Sequence, residues 1–336
     1  MTSICMIYYT SNTNNGENEM NGKRLVLKET AHYHCVSRIR GQDMLLKDDE
    51  KRRLWNLVKR VEGFSGVEVK TYCLMDNHFH MILKVPKWRE VDDKELVDRM
   101  RSLYGDQKTD MRVASWDLWA KKGDTEKVNA EKTALKKRMF NLSDFFKTMK
   151  ERFTKEFNHR TGCEGTLWSE RFQSVLLAPE KNVLTTVGTY ADSNPVRSGV
   201  VKKAEDYVFS GFGAASRGDQ SAREGIRDLV NPATSPHERK TGVDEAFAEY
   251  KTILHRKHPH NTTKNKSLTQ PPTVEFDKST VDYLAGAAIG SLKFIAKVAI
   301  FVVAAPFILQ SNAYNAGRGM ADEFYRARRI NKRNFN

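Results

Sequence analysis

Residues 67–85 read VEVKTYCLMDNHFHMILKV, and the fold class follows from how this stretch alternates. Val67, Val69, Thr71 and Cys73 alternate with Glu68, Lys70 and Tyr72, the period of a β-strand. Met75-Asp76-Asn77 forms a tight connection. From His78 onward every second residue is apolar (Phe79, Met81, Leu83, Val85), and Pro86 closes the run. Such a stripe must pack on a core. His78, His80 and Ile82 are thereby held together on the opposite face.

Upstream, residues 29–38 (ETAHYHCVSR) have the composition of a first strand. Asp48 caps a helix with Leu54, Leu57, Val58 and Val61 at helical spacing, and Gly63 stops it. Downstream, residues 87–140 are densely charged and helical in composition. Ser143 caps a helix to about Asn158 whose apolar face carries Phe145, Phe146, Met149, Phe153 and Phe157. Gly162 and Gly165 interrupt the chain before a strand from Leu167 to Leu177. Pro179 suits the first turn of a helix that ends where Asn194 meets Pro195. Strands and helices mixed in this order, with a hairpin and no regular βαβ run, predict an α+β domain over 29–205 with a helical insertion at about 87–140.

The flanks read differently. Residues 1–28 form a polar, Asn-rich segment without the basic-then-apolar order of a signal peptide. Residues 206–254 read as a helical extension and 255–280 as a basic polar linker. Residues 281–336 read as a C-terminal helical segment with a basic tail, Arg326 to Arg333. Within it, 284–309 is LAGAAIGSLKFIAKVAIFVVAAPFIL, but Lys293 and Lys297 interrupt it. Each central lysine costs ~2.5–3.5 kcal/mol on insertion scales, which favours a buried or amphipathic helix over a membrane anchor.

The chain has 336 residues, with 56 Lys and Arg against 42 Asp and Glu, a formal net charge of +14. Its length allows a sizeable core, and its apolar and aromatic content excludes disorder throughout. The four cysteines (Cys5, Cys35, Cys73, Cys163) form no Cys-x-x-Cys pair and no secreted disulfide framework, so a reducing cytoplasm is expected. The charge excess makes a polyanion the first partner to consider.

Three His-x-His pairs occur. His258/His260 flank a proline in the linker and His32/His34 open the first strand; both read as ordinary histidines. His78/His80 differ, because the apolar stripe fixes both imidazoles on one face, where they can share a metal ion. On the helix after Pro179, Val183, Val187, Tyr190 and Asn194 fall on one stripe, which puts a phenol and an amide on the same side one turn apart. If that helix crosses the histidine face, Tyr190 and Asn194 meet the pair.

Together these segments resemble the single-tyrosine HUH transposases, and most closely the REP-associated tyrosine transposases. The resemblance rests on Tyr33–Arg38, on Tyr72–His80, on Phe153–Arg160 followed by Gly165–Phe172, and on Tyr190–Arg197, in family order over about 30–215. It implies a ferredoxin-like antiparallel sheet with flanking helices, here with the helical insertion and a helical C-terminal extension. It implies a nucleoid-associated enzyme that cuts and rejoins single-stranded or hairpin DNA of palindromic repeats. Tyr190 would be the nucleophile, and His78, His80 and Asn194 would hold Mg2+ or Mn2+, with no small-molecule cofactor. Arg38, Arg152, Lys155, Arg160, Arg171 and Arg197 are the candidate DNA contacts. Tyr33, Trp168 and Phe172 offer rings for base stacking, with core packing expected for the last two. Monomer and homodimer stay open. A non-cleaving, host-retained binder of a DNA or RNA hairpin is the alternative. The absence of a Gly-x-x-x-x-Gly-Lys-Ser/Thr loop counts against a self-contained replication initiator.

Overall fold

The computed structural model describes residues 27, 29–42, 44–232, 241–257, 280–282 and 288–291. The chain enters through β1 (Ala31–Arg38) and α1 (Asp48–Ser65). The hairpin β2 (Glu68–Leu74) and β3 (His78–Val85) follows. The charged insertion is three helices, α2 (Asp93–Tyr104), α3 (Asp106–Lys121) and α4 (Thr125–Lys136). Next come α5 (Leu142–Thr161), β4 (Gln173–Leu177), α6 (Lys181–Asp192) and the single turn α7 (Asn194–Arg197). The extension supplies α8 (Gly211–Ser216), α9 (Gln220–Val230) and α10 (Val243–Lys257), and two short strands close the described chain, β5 (Thr280–Asp282) and β6 (Ala288–Ser291). The fold is α+β, an antiparallel sheet with flanking helices.

The sheet order is β2-β3-β1-β4-β6-β5. β1 is central and antiparallel to both β3 and β4, with His34 opposite Ile82, Val36 opposite His80 and Arg38 opposite His78. β6 joins β4 in parallel. The stripe on β3 behaves as read. Phe79, Met81 and Leu83 are fully enclosed with Leu54, Val58, Phe146 and Phe153, so α1 and α5 cover that face. Ile82 faces the other way, into a second core with Leu177, Leu184, Val187, Leu229 and Tyr250 from β4, α6, α9 and α10.

Several local expectations need correction. The alternation on β2 is broken by a bulge between Val69 and Thr71. Lys70 and Thr71 both reach the α6–α9 layer. Lys70 pairs with Asp228 at 2.6 Å and Thr71 donates to Asp192 at 2.9 Å. The extra residue restores Tyr72 to the α1 side, where it stacks on Trp55. α1 runs past Gly63 and ends at Gly66, whose φ of 71° is the left-handed conformation that glycine adopts without strain. Asp48 lies inside its first turn beside Asp49 and Glu50, where carboxylates oppose the helix dipole. Asn141, not Ser143, caps α5, accepting from the Ser143 and Asp144 amides.

β4 is shorter than the expected Leu167–Leu177 strand. Leu167 and Trp168 turn into the core, and only Trp168 bridges to Ile39. Tyr33 is buried there too, and Phe172 stacks on Phe146 at 4.0 Å, so none of the three rings is offered to a base. Pro195 opens a further helical turn instead of ending one. The C-terminal segment was expected to be helical, yet its described parts, β5 and β6, are strands that pair the otherwise open edge of β4. The rest of 283–336, with the two lysines and the basic tail, lies outside the described residues, as do 1–26 and His258/His260. Among the described residues no helix is long and apolar enough to cross a membrane.

Candidate active site on the histidine face

β3 and β1 build the floor of the site. His78 and His80 point from β3 to the side that α6 crosses, with ring centroids 5.2 Å apart. His34 joins them from β1. Its Nε2 lies 2.9 Å from His80 Nδ1, and the two rings stack at 5.2 Å. The sequence reads His34, with His32, as an ordinary histidine, and the structure corrects this by setting it against His80. The signal that could have found it is the same-face rule applied across strands, once β1 is known to pair with β3.

These contacts set the chemistry of the rings. His78 Nδ1 donates to Asn77 Oδ1 at 2.7 Å, which leaves its Nε2 lone pair free. With His80 Nδ1–H donating to His34 Nε2, the Nε2 lone pair of His80 is free as well. A metal-binding imidazole usually has its second nitrogen held by a hydrogen bond in this way. Burial lowers the pKa of His34 to about 4, and burial with the Arg38 charge does the same to His78. His80 is likewise held well below the ordinary imidazole value, by burial and by His34, His78, Arg197 and Arg38. All three rings are neutral at pH 7, the state a metal requires. Two neutral imidazoles with fixed tautomers therefore fit a divalent ion. Among the described residues no three His, Cys, Asp or Glu side chains gather into a metal-binding group.

α6 lies across this floor. Tyr190 presents its ring edge-on to His80 at 6.0 Å and to His34 at 6.3 Å. The helix is fixed from several sides. A Cβ at Gly188 would stand 2.8 Å from the Tyr250 hydroxyl and 2.9 Å from Leu229, so only glycine permits this approach. Asp192, fully buried, accepts from Thr71, from Tyr250 at 2.7 Å and from the Phe212 amide at 3.1 Å. Burial pushes its pKa up to about 6 against these hydrogen bonds. One carboxylate thus ties the Tyr190 helix to β2, α8 and α10.

Asn194 begins α7 and is buried, with its amide oxygen accepting from Ser198 Oγ at 3.1 Å. An amide oxygen has a second lone pair and keeps the capacity to ligate. Arg197 lies over the Tyr190 ring at 4.3 Å, and its Nη1 is buried without a hydrogen-bond partner among the described residues. Arg38, at the end of β1, adds its charge to His78 and His80.

The six candidate DNA contacts are not brought together. Arg38 and Arg197 adjoin the histidine face. Arg171 is exposed on the connection into β4. Arg152, Lys155 and Arg160 lie on α5, in the layer that covers the other side of the sheet, and Arg160 is held by Glu50 through two bonds of 2.8 and 2.6 Å.

The model of the family described as "Transposase IS200 like" matches residues 28–106. A solved structure of a REP-associated tyrosine transposase bound to a REP hairpin is similar at 18% identity, over 59% of this chain and 87% of that one, with a TM-score of 0.38. No curated protein matches the chain. This chain therefore resembles the IS200-like transposase family over residues 28–106, the segment that carries β1, the β2–β3 hairpin and the three histidines of the site.

Proposed function

We propose that this protein is a transposase-type enzyme that nicks and rejoins single-stranded or hairpin DNA, with Tyr190 as nucleophile. The observation that carries the reading is the meeting of Tyr190, on α6, with His80, which lies against His78 on β3, beneath an Arg197 Nη1 that has no partner among the described residues. Nothing in the local sequence requires these groups to converge, and a buried guanidinium donor left open beside a phenol suits an incoming phosphate.

In this reading Arg197 and Arg38 hold the scissile phosphate over the histidine face. The Tyr190 oxygen attacks phosphorus, an O–P bond to tyrosine forms and the bond to the 3′ oxygen breaks. The leaving oxygen takes up a proton and the phenol loses one. The product is a 5′-phosphotyrosine and a free 3′-hydroxyl. A phenoxide leaves more readily than a sugar alkoxide, so another 3′-hydroxyl reverses the step without external energy. His78 Nε2 and His80 Nε2, with Asn194 Oδ1 as third donor, would hold a divalent ion. That ion would polarise a non-bridging phosphate oxygen and offset its developing charge. The resemblance implies magnesium or manganese, whereas imidazole nitrogens also suit zinc. Residues 29–205 form the catalytic domain in this proposal, and the partner is a hairpin of palindromic repeats.

The test is a covalent adduct on a labelled hairpin oligonucleotide, with metal-stripped protein titrated with magnesium, manganese and zinc. Wild type forms the adduct, and Tyr190→Phe, which has no phenol oxygen to bond phosphorus, forms none. An adduct formed equally by Tyr190→Phe removes the assignment. Hairpin binding with no adduct under any metal replaces it with a non-cleaving binder.

A further inference from the structure

On the far side of the sheet, α1, α2 and α5 enclose a cleft of about 600 Å3. Arg60, Arg138, Lys147, Arg152 and Lys155 line it, around Tyr104. Three of these are guanidiniums drawn to one aromatic corner. Arg152 lies over the Tyr104 ring at 4.9 Å, Arg138 donates to the Tyr104 hydroxyl at 2.7 Å, and Arg60 donates to the Leu103 carbonyl at 2.5 Å. Burial, with Arg60 and Arg138 nearby, lowers the Arg152 pKa although Tyr104 opposes it.

None of the five makes an ion pair among the described residues. This sets them apart from their neighbours. Arg53, Arg99, Arg101, Arg112 and Arg160, on the same helices and on α3, are each paired with a carboxylate. Acids do line the cleft, namely Asp144, Glu151 and Glu156. Glu156 is engaged outward by Arg53 at 3.3 Å and Arg160 at 3.8 Å. Burial raises the Asp144 carboxyl even beside Arg138 and Lys147. Glu151 is thus the one acid of the three that stands exposed without an ion pair.

Positive charge that a fold gathers into a cleft and leaves uncompensated is arranged for an anion from outside. Lys147 and Lys155 are eight residues apart on α5, about 12 Å along the axis, which equals three to four nucleotide rises of one duplex strand. We propose that this cleft is a second phosphate-binding site, gripping the backbone of a nucleic acid strand on the side of the sheet away from Tyr190. The aromatic of the cleft is already covered by arginine, so recognition there is of phosphate and not of base. The proposal rests on the nucleic-acid part of the function above and not on its chemistry.

The experiment is equilibrium binding of the full chain to a labelled hairpin with a single-stranded extension, in EDTA, at several salt concentrations. K147Q/R152Q/K155Q flattens the slope of log affinity against log salt by about 2, for three lost contacts at ~0.7 each on a single strand. Because Arg152 also packs on Tyr104, K147Q/K155Q, both exposed, is measured alongside and flattens the slope by about 1.4. Glu151→Gln tightens binding. Arg160→Gln, whose partner is Glu50, leaves the slope unchanged. An unchanged slope in both multiple variants overturns the proposal, whether or not an acidic polypeptide binds the cleft instead. So does an equal flattening by Arg160→Gln, which would make the effect one of overall charge. The readout needs no adduct, so the site can stand where the cleavage reading fails, and fall where it holds.

Discussion

Two faces of one strand can be set side by side. On the α1–α5 side of β3, Phe79, Met81 and Leu83 are enclosed, and Phe79 stacks on Phe146 at 6.0 Å and meets Trp168 edge-on at 5.7 Å. On the α6 side, His78 and His80 carry polar rings whose Nδ1 atoms are each tied to a partner, Asn77 or His34. The first face is satisfied by shape, and the second by hydrogen bonds and neutral rings. Stability and the proposed chemistry are thus divided by the pleat. A change on one face should therefore move one property and spare the other. The largest expected effect is on the apolar side. Phe79→Ala empties a fully packed site and should cost ~3–5 kcal/mol of unfolding free energy, read from urea midpoints. In the proposed reading, His78 and His80 of the variant still hold a divalent ion below its own midpoint. Loss of metal in the folded variant would show that the two faces cannot be separated.

The reverse substitution sharpens the contrast. His34→Ala leaves His80 Nδ1 without its partner and frees the ring to turn, while removing little apolar packing. Metal affinity, titrated calorimetrically with manganese, should fall about 10–100-fold, the usual cost of losing such an outer partner. His34→Gln, whose amide can accept from the ring N–H, should recover part of it. A fall in stability as large as that of Phe79→Ala, with metal affinity intact, would make His34 a packing residue instead.

That contrast also explains what the sequence makes legible. The stripe on β3 and the apolar face of α5 are periodic over several residues, so their burial follows from that spacing. The Tyr190 stripe is likewise local, and the structure does lay it across the histidine face. His34 is different. Its role depends on β1 lying between β3 and β4, a pairing between residues 46 positions apart, and nothing in ETAHYHCVSR encodes it. The bulge at Lys70 is hidden for the same reason, because it answers to Asp228 and Asp192 far along the chain. The α5 cations fall on the other side of the sheet because layer assignment is tertiary. A basic residue on an exposed helix face carries no mark of which side that helix will cover. The caps at Asn141 and Gly66 lie two and three residues from the Ser143 and Gly63 that the sequence points to, because several polar or glycine positions compete there.

The smallest effect concerns His32, which extends the histidine face toward the start of β1. It is buried, its Nδ1 has no partner among the described residues, and Lys84 lies opposite it across β3. Burial first, then the charges of Lys84 and Lys70, lower its pKa to about 4. The unfolded chain takes up a proton on this ring near the ordinary value of 6.5, and the folded chain does so only near 4. Between those values the unfolded state binds more protons, so stability rises with pH across the window and is lost as pH falls through it. The slope from one such group is at most ~1.4 kcal/mol per pH unit. His32→Asn removes it, so urea midpoints of wild type and variant, compared at pH 7.5 and pH 5, should converge as the medium becomes acidic. Asp192 contributes a trend of opposite sign, since its raised pKa makes the folded state the better proton acceptor between 3.8 and about 6. That trend is common to both proteins and cancels in their difference. A wild-type-minus-variant difference that does not change between the two pH values would mean that His32 is ionised to the same extent folded and unfolded, and the apolar character of this end of the face would have to be abandoned.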